Sequence, residues 1–145
     1  MQLPEHLQHF PHIALLVASD SVLAKFFLLG GETLEEVDSL TVPRVKPQDN
    51  EGSIRIEGGG GVSGANSDID DTPRLKEFIH KMVERINEIV AESGVVHIHL
   101  VMPAEIEHQL TAHLPNTLKE RVVKRVHHDL VKNPPLEIVE RLFKD

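Results

Sequence analysis

An apolar stripe of helical period constrains this chain more than any other feature. Leu75, Phe78, Ile79, Met82, Val83, Ile86, Ile89 and Val90 recur at the i, i+3, i+4, i+7 spacing of one helix face. Thr72 is a suitable N-cap, Pro73 fits the first helical position, and Gly94 suits a left-handed C-terminal cap. The spacing predicts a helix over 72–94, and its stripe must be buried against something. The candidate partners are short strand-like runs. Ile-Ala-Leu-Leu-Val-Ala at 13–18 is continuously apolar, as a strand buried on both faces would be. Residues 24–29 read as a second strand, closed by Gly30-Gly31 as a hairpin signal. Residues 33–42 read as a third, and their Glu35, Glu36 and Asp38 suit an edge.

Strands and helices then alternate. Residues 95–102 read as a fourth strand, with Val96, Ile98 and Leu100 on one face and His97 and His99 on the other. A short helix over 104–114 is broken at Pro115-Asn116, and a turn of helix follows to 119. Residues 121–128 read as a fifth strand. Asn133-Pro134-Pro135 opens a last helix with Leu136, Val139, Leu142 and Phe143 as its buried stripe. The order β-β-β-α-β-α-β-α predicts one α/β domain over 1–145, of three-layer type. Its sheet is mixed and five-stranded, in the order 3-2-1-4-5, with strands 1, 4 and 5 parallel. That plan is ribonuclease-H-like. The 145 residues suffice for one core, since a chain of this length buries roughly 68–70% of its unfolded surface.

The connection 43–71 stands apart. It is rich in glycine and proline, and so long a connection in a compact domain is usually functional or disordered. It reads as a mobile loop. Gly58, Gly59, Gly60 and Gly61, with Ser63 and Asn66, are the candidate binding residues, because glycines let backbone amides converge on an anion. No Gly-Lys-Ser/Thr follows, so it is not a P-loop. Asp68, Asp70 and Asp71 suit the start of the long helix electrostatically. They are also the candidate metal ligands, with Asp20 or Asp129 as further carboxylates. Ribonuclease-H-like nucleases carry a carboxylate inside the first strand, and 13–18 has none.

The other chemistry-bearing groups are weaker. His97 and His99 share a strand face, His6, His9 and His12 repeat every three residues, and His127 adjoins His128. Zinc would need a third convergent ligand that the sequence does not place. Lys119, Arg121, Lys124, Arg125, His127 and His128 form the basic stretch, but along a strand such side chains divide between two faces. Cysteine is absent, so thiol catalysis and disulfides are excluded, and no serine lies in a nucleophile elbow. No catalytic residue and no cofactor are expected, and the chain reads as a binding protein before an enzyme. The net charge of −8 disfavours broad binding of phosphate backbones. The first twelve residues carry no Lys or Arg, and no apolar run approaches a membrane span. A cytoplasmic protein with no membrane partner is expected. Pairing of two copies across a two-fold axis is left open.

Three segments resemble a known family. Ala-Ser-Asp-Ser-Val-Leu-Ala-Lys-Phe-Phe at 18–27 looks like the opening strand-turn-strand of the bacterial proteins required for attachment to host cells. Leu-Val-Met-Pro at 100–103, before a short helix, is similar to that family's apolar strand ending in proline. Asp129-Leu130, a proline, Glu137-Ile138 and a late leucine resemble its C-terminal pattern. The family is in turn similar to the middle domain of archaeal and eukaryotic class-1 peptide-chain release factors. In those, a Gly-Gly-Gln loop between the third strand and the first long helix enters the ribosomal peptidyl-transferase centre. The resemblance implies a release-factor-like fold and a ribosome, tRNA or protein partner. Here Val62, not glutamine, follows the glycines. The resemblance therefore implies an adaptor more than a release enzyme. The alternative is metal-dependent hydrolysis of RNA or peptidyl-tRNA.

Overall fold

The computed structural model describes residues 1–7, 10–42 and 73–144. Five strands form a single sheet: β1 (Phe10–Ser19), β2 (Leu23–Gly31), β3 (Thr33–Thr41), β4 (His97–Val101) and β5 (Val122–Val126). Their spatial order is β3-β2-β1-β4-β5. β1 runs antiparallel to β2, and β2 to β3, whereas β4 lies parallel to β1 and β5 parallel to β4. The predicted topology is therefore the observed one. Among the described residues four α-helices cover the sheet: α1 (Pro73–Ser93), α2 (Ala104–His113), α3 (Asn116–Lys119) and α4 (Pro135–Lys144).

The layering follows from side-chain alternation along the strands. Leu15 and Val17 of β1, Phe26 of β2, and Ile98 and Leu100 of β4 face one side, where they meet the stripe of α1 and Ile106 and Leu110 of α2. Leu16, Ala18, Phe27, Leu29 and Val101 face the other side, against Ile138, Val139 and Leu142 of α4 and against Leu3 and Leu7. From Ala14 onward β1 is buried on both faces, as its apolar run requires, whereas Pro11, His12 and Ile13 before it are exposed. The stripe of α1 goes inward as read: Leu75, Phe78, Ile79, Met82, Ile86 and Ile89 are buried, with Val83 and Val90 packed beside them. Burying each such side chain contributes about 1.5–3 kcal/mol, so docking rather than helix propensity fixes this helix. Arg85 adds an ion pair to Asp38 of the edge strand β3. Gly94 ends α1 at φ +65° and donates its N–H to the Val90 carbonyl. Thr72, the expected N-cap, lies outside the described residues.

Three details depart from the sequence reading. The β2–β3 turn is centred on Gly31 and Glu32, with Gly31 at φ +54°, rather than on Gly30 and Gly31. Phe143 stays 40% exposed, and Ile138 takes its place in the buried stripe of α4. Phe143 lies instead against the Phe10 ring, with centroids 5.6 Å apart. β4 spans His97–Val101, and Val96, expected on the face of Ile98 and Leu100, precedes it and is 40% exposed.

Two bulges distort the outer strands. Phe26 and Phe27 of β2 pair with Asp38 and Glu36 of β3, so Val37 is extra. Ile98 and His99 of β4 pair with Val122 and Lys124 of β5, so Val123 is extra. A bulge re-aims every side chain beyond it. Past Val123, Arg125 turns to the α2 face and Lys124 to the α4 face. Among the described residues no helix is long and apolar enough to cross a membrane.

Candidate functional site

The parallel strands β1, β4 and β5 end at one rim of the sheet, where Ala18, Val101 and Val126 stand in register. In open α/β sheets that rim is where ligands are bound. Asp20 follows β1, Met102 and Pro103 follow β4, and His127 follows β5. α2 starts directly behind Pro103, and its first turns carry Glu107 over the end of β5.

Glu107 is the one charged side chain buried among the described residues, at 3% exposure. A buried carboxylate must be compensated by partners, and every one of its oxygens has some. Oε2 accepts hydrogen bonds from Thr111 Oγ1 at 2.6 Å and from Arg125 Nε at 3.1 Å. Oε1 lies 2.8 Å from His127 Nε2 and 3.7 Å from His108 Nε2. Burial alone would raise the pKa of Glu107. The hydrogen bonds from Thr111 and His127 and the field of Arg125 outweigh it and hold the carboxyl below its usual value. Glu107 is thus held as an ionised anchor. Arg125 and His127 are about 40% exposed at their side chains, so each has one edge on Glu107 and the other toward solvent. The bulge at Val123 brings both to this face. Glu107, His108 and His127 also each present a ligating atom, all within 4.8 Å of one another.

A second polar cluster lies on the opposite face. His99 is packed under the edge of the Phe10 ring, with centroids 6.1 Å apart. Its buried Nδ1 has no hydrogen-bond partner. Burial, with His97 and Lys124 adding positive charge beside it, lowers its pKa to about 4. His97 in turn meets His12, with ring centroids 6.0 Å apart.

The residues expected from the sequence distribute as follows. Gly58, Gly59, Gly60, Gly61, Ser63, Asn66, Asp68, Asp70 and Asp71 lie outside the described residues, as does His9. Asp20 is used by the β1–β2 turn, where its Oδ1 accepts the N–H groups of Val22 and Leu23 at 2.8 and 2.7 Å. Asp129 is exposed on the loop before α4. His6 approaches Glu140 at 3.5 Å. The basic stretch divides as expected on a strand: Arg121 donates to the Val95 carbonyl, Lys124 faces the His99 side, and Arg125 faces Glu107. His97 and His99 share a face but converge on no third ligand among the described residues.

Sequence reasoning missed Glu107. Its signal was present: Glu107, Leu110 and Leu114 form one i, i+3, i+7 row of a helix, and a carboxylate in a buried row needs a partner.

Similarity to known proteins agrees with this architecture. No curated protein matches the chain. Among solved structures, an archaeal protein superposes with a TM-score of 0.51 at 16% identity, over 92% of this chain and 36% of its own length. A crystal structure of an archaeal translation termination factor superposes with a TM-score of 0.52 at 18% identity, over 80% of this chain and 30% of its own. The chain therefore spans about a third of either relative, and at such identities the likeness is one of fold. The family described as "Protein required for attachment to host cells" matches residues 15–142. From β1 through α4, the chain belongs to that host-attachment family.

Proposed function

We propose that this chain is a non-catalytic binding module of release-factor-like fold that docks on the ribosome or on tRNA. The observation that carries this reading is the content of the connection between β3 and α1. The release factors bear their Gly-Gly-Gln loop at that place in the fold. Here Gly58, Gly59, Gly60 and Gly61 are followed by Val62, and Ser63 and Asn66 are the polar side chains nearby. Glycine-borne backbone amides suited to contact a partner are retained. The glutamine that serves hydrolysis is absent from that position. The net charge of −8 argues for docking through a local contact and against a broad basic face.

The alternative, metal-dependent hydrolysis of RNA or peptidyl-tRNA through Asp68, Asp70 and Asp71, draws less support. Asp20, its further carboxylate, already accepts two backbone N–H groups in a turn.

Co-sedimentation with ribosomes at low salt tests the proposal. The parent chain is expected in the ribosomal pellet, and a variant lacking residues 57–66 in the supernatant. A parent chain that stays in the supernatant would sink the reading. Release of peptide from peptidyl-tRNA by the chain alone would favour the hydrolase instead.

A further inference from the structure

We propose that Glu107, His108 and His127 form a binding site for one borderline transition-metal dication, with zinc as the reference ion. Two imidazole nitrogens converge on a single carboxylate oxygen. His127 Nε2 is 2.8 Å from Glu107 Oε1 and His108 Nε2 is 3.7 Å from it. Four-coordinate zinc with metal–ligand bonds near 2.0–2.2 Å sets its ligand atoms roughly 3.3–3.6 Å apart. The two separations bracket that range. All three ligand atoms lie within 4.8 Å of one another, and His108, 72% exposed at its side chain, is the ligand with room to move inward and complete the set. The two rings already stand edge to face, with centroids 5.8 Å apart.

The carboxylate is oriented for this task from behind. Thr111 and Arg125 hold Oε2, so Oε1 is left to face the imidazoles. Outer hydrogen bonds of this kind fix the direction of a ligand. The donor set selects the class of ion. Two nitrogens and one oxygen suit zinc, nickel, cobalt or copper, whereas calcium and magnesium call for oxygen-rich shells. Three protein ligands on one side, two of them exposed, leave a coordination position open to water or to a ligand atom. Arg125 neutralises the charge of Glu107, so coordination rather than long-range attraction must supply the affinity. Binding of moderate strength is the consequence.

Other histidine pairs of the fold provide controls. His80 and His113 face each other at 6.0 Å, as do His12 and His97, without a third ligand among the described residues. Calorimetric titration of the untagged, chelator-treated chain with zinc chloride tests the site. One zinc per chain is expected. His108→Ala and His127→Ala are each expected to weaken binding by at least about tenfold. His12→Ala and His80→Ala are expected to bind as the parent does. His108 is exposed, so its variant keeps the fold, which circular dichroism checks. Cobalt(II) gives a second readout: a visible absorption band of low-symmetry coordination in the parent, lost in His127→Ala. No saturable zinc binding would overturn the proposal. So would one-site binding unchanged in His108→Ala and His127→Ala. Neither result bears on ribosome docking, which the sedimentation experiment reads separately.

Discussion

Half-buried His99 and buried Glu107 are two titratable side chains with opposite solutions to burial. Glu107 gains hydrogen bonds and a guanidinium and stays charged. His99 gains the edge of the Phe10 ring and is held neutral by burial, with His97 and Lys124 beside it adding to the effect, its pKa lowered to about 4 from 6.5. The consequence for stability has a definite sign. An unfolded chain takes up a proton at this residue near pH 6.5, and the folded chain only near pH 4. The unfolded state therefore binds more protons in that window, and the fold loses stability as pH drops through it. The loss is about 2 kcal/mol once partial solvent access is allowed for. His99→Leu, which also removes the unpartnered Nδ1, should flatten this dependence. Urea denaturation of both proteins at pH 7 and pH 4.5 measures it. Equal losses of stability in the two would show that His99 is not the group responsible.

At the scale of elements, two local devices decide what the long apolar patterns leave open. The bulge at Val123 is one. Along a regular strand Arg125 would fall on the opposite face from Val122. With one residue inserted it joins Val122 on the α2 side and reaches Glu107. The other device is Gly94, which ends α1 in the left-handed region so that the chain can enter β4. A Cβ built there meets nothing within 4 Å, so any cost of a side chain is conformational and not steric. Gly94→Ala should therefore lower stability by about 1 kcal/mol. A midpoint of urea denaturation that does not fall would mean that the chain bends at α1 by another route. Most elements were legible because their packing partner is generic: any apolar surface accepts the stripe of α1. The bulge was not legible, because Val-Val-Lys-Arg-Val reads equally well as regular strand. Only pairing with β4 reveals that Val123 is the extra residue.

For the whole molecule, the sheet has two edges, β3 and β5, and both are defended. β3 carries Glu35, Glu36 and Asp38 and the bulge at Val37. β5 carries Lys124, Arg125 and the bulge at Val123. Charge and bulges on edge strands oppose sheet-to-sheet pairing of copies. The chain should accordingly scatter light as a monomer at the concentration of the measurement. A dimer mass at that concentration would mean that a surface other than the strand edges pairs. The histidine and carboxylate chemistry is likewise a property of the whole fold. Glu107 and His127 are separated in sequence by the rest of α2, by α3 and by β5, and they meet because β4 and β5 are parallel and end at the same rim.

The sequence alone determined the order and kind of the elements, the five-stranded 3-2-1-4-5 sheet and the edge position of β3. These follow from periodicity, which is local and repeats over many residues. It also carried the resemblance to the host-attachment family through short motifs in register with the strands. Tertiary structure alone decided which polar groups meet. Glu107, Arg125 and His127 share a site because a single extra residue in β5 reverses the alternation beyond it, and because a buried carboxylate draws its donors to itself. Contacts between side chains distant in sequence depend on register to within one residue, and hydrophobic pattern does not carry that information.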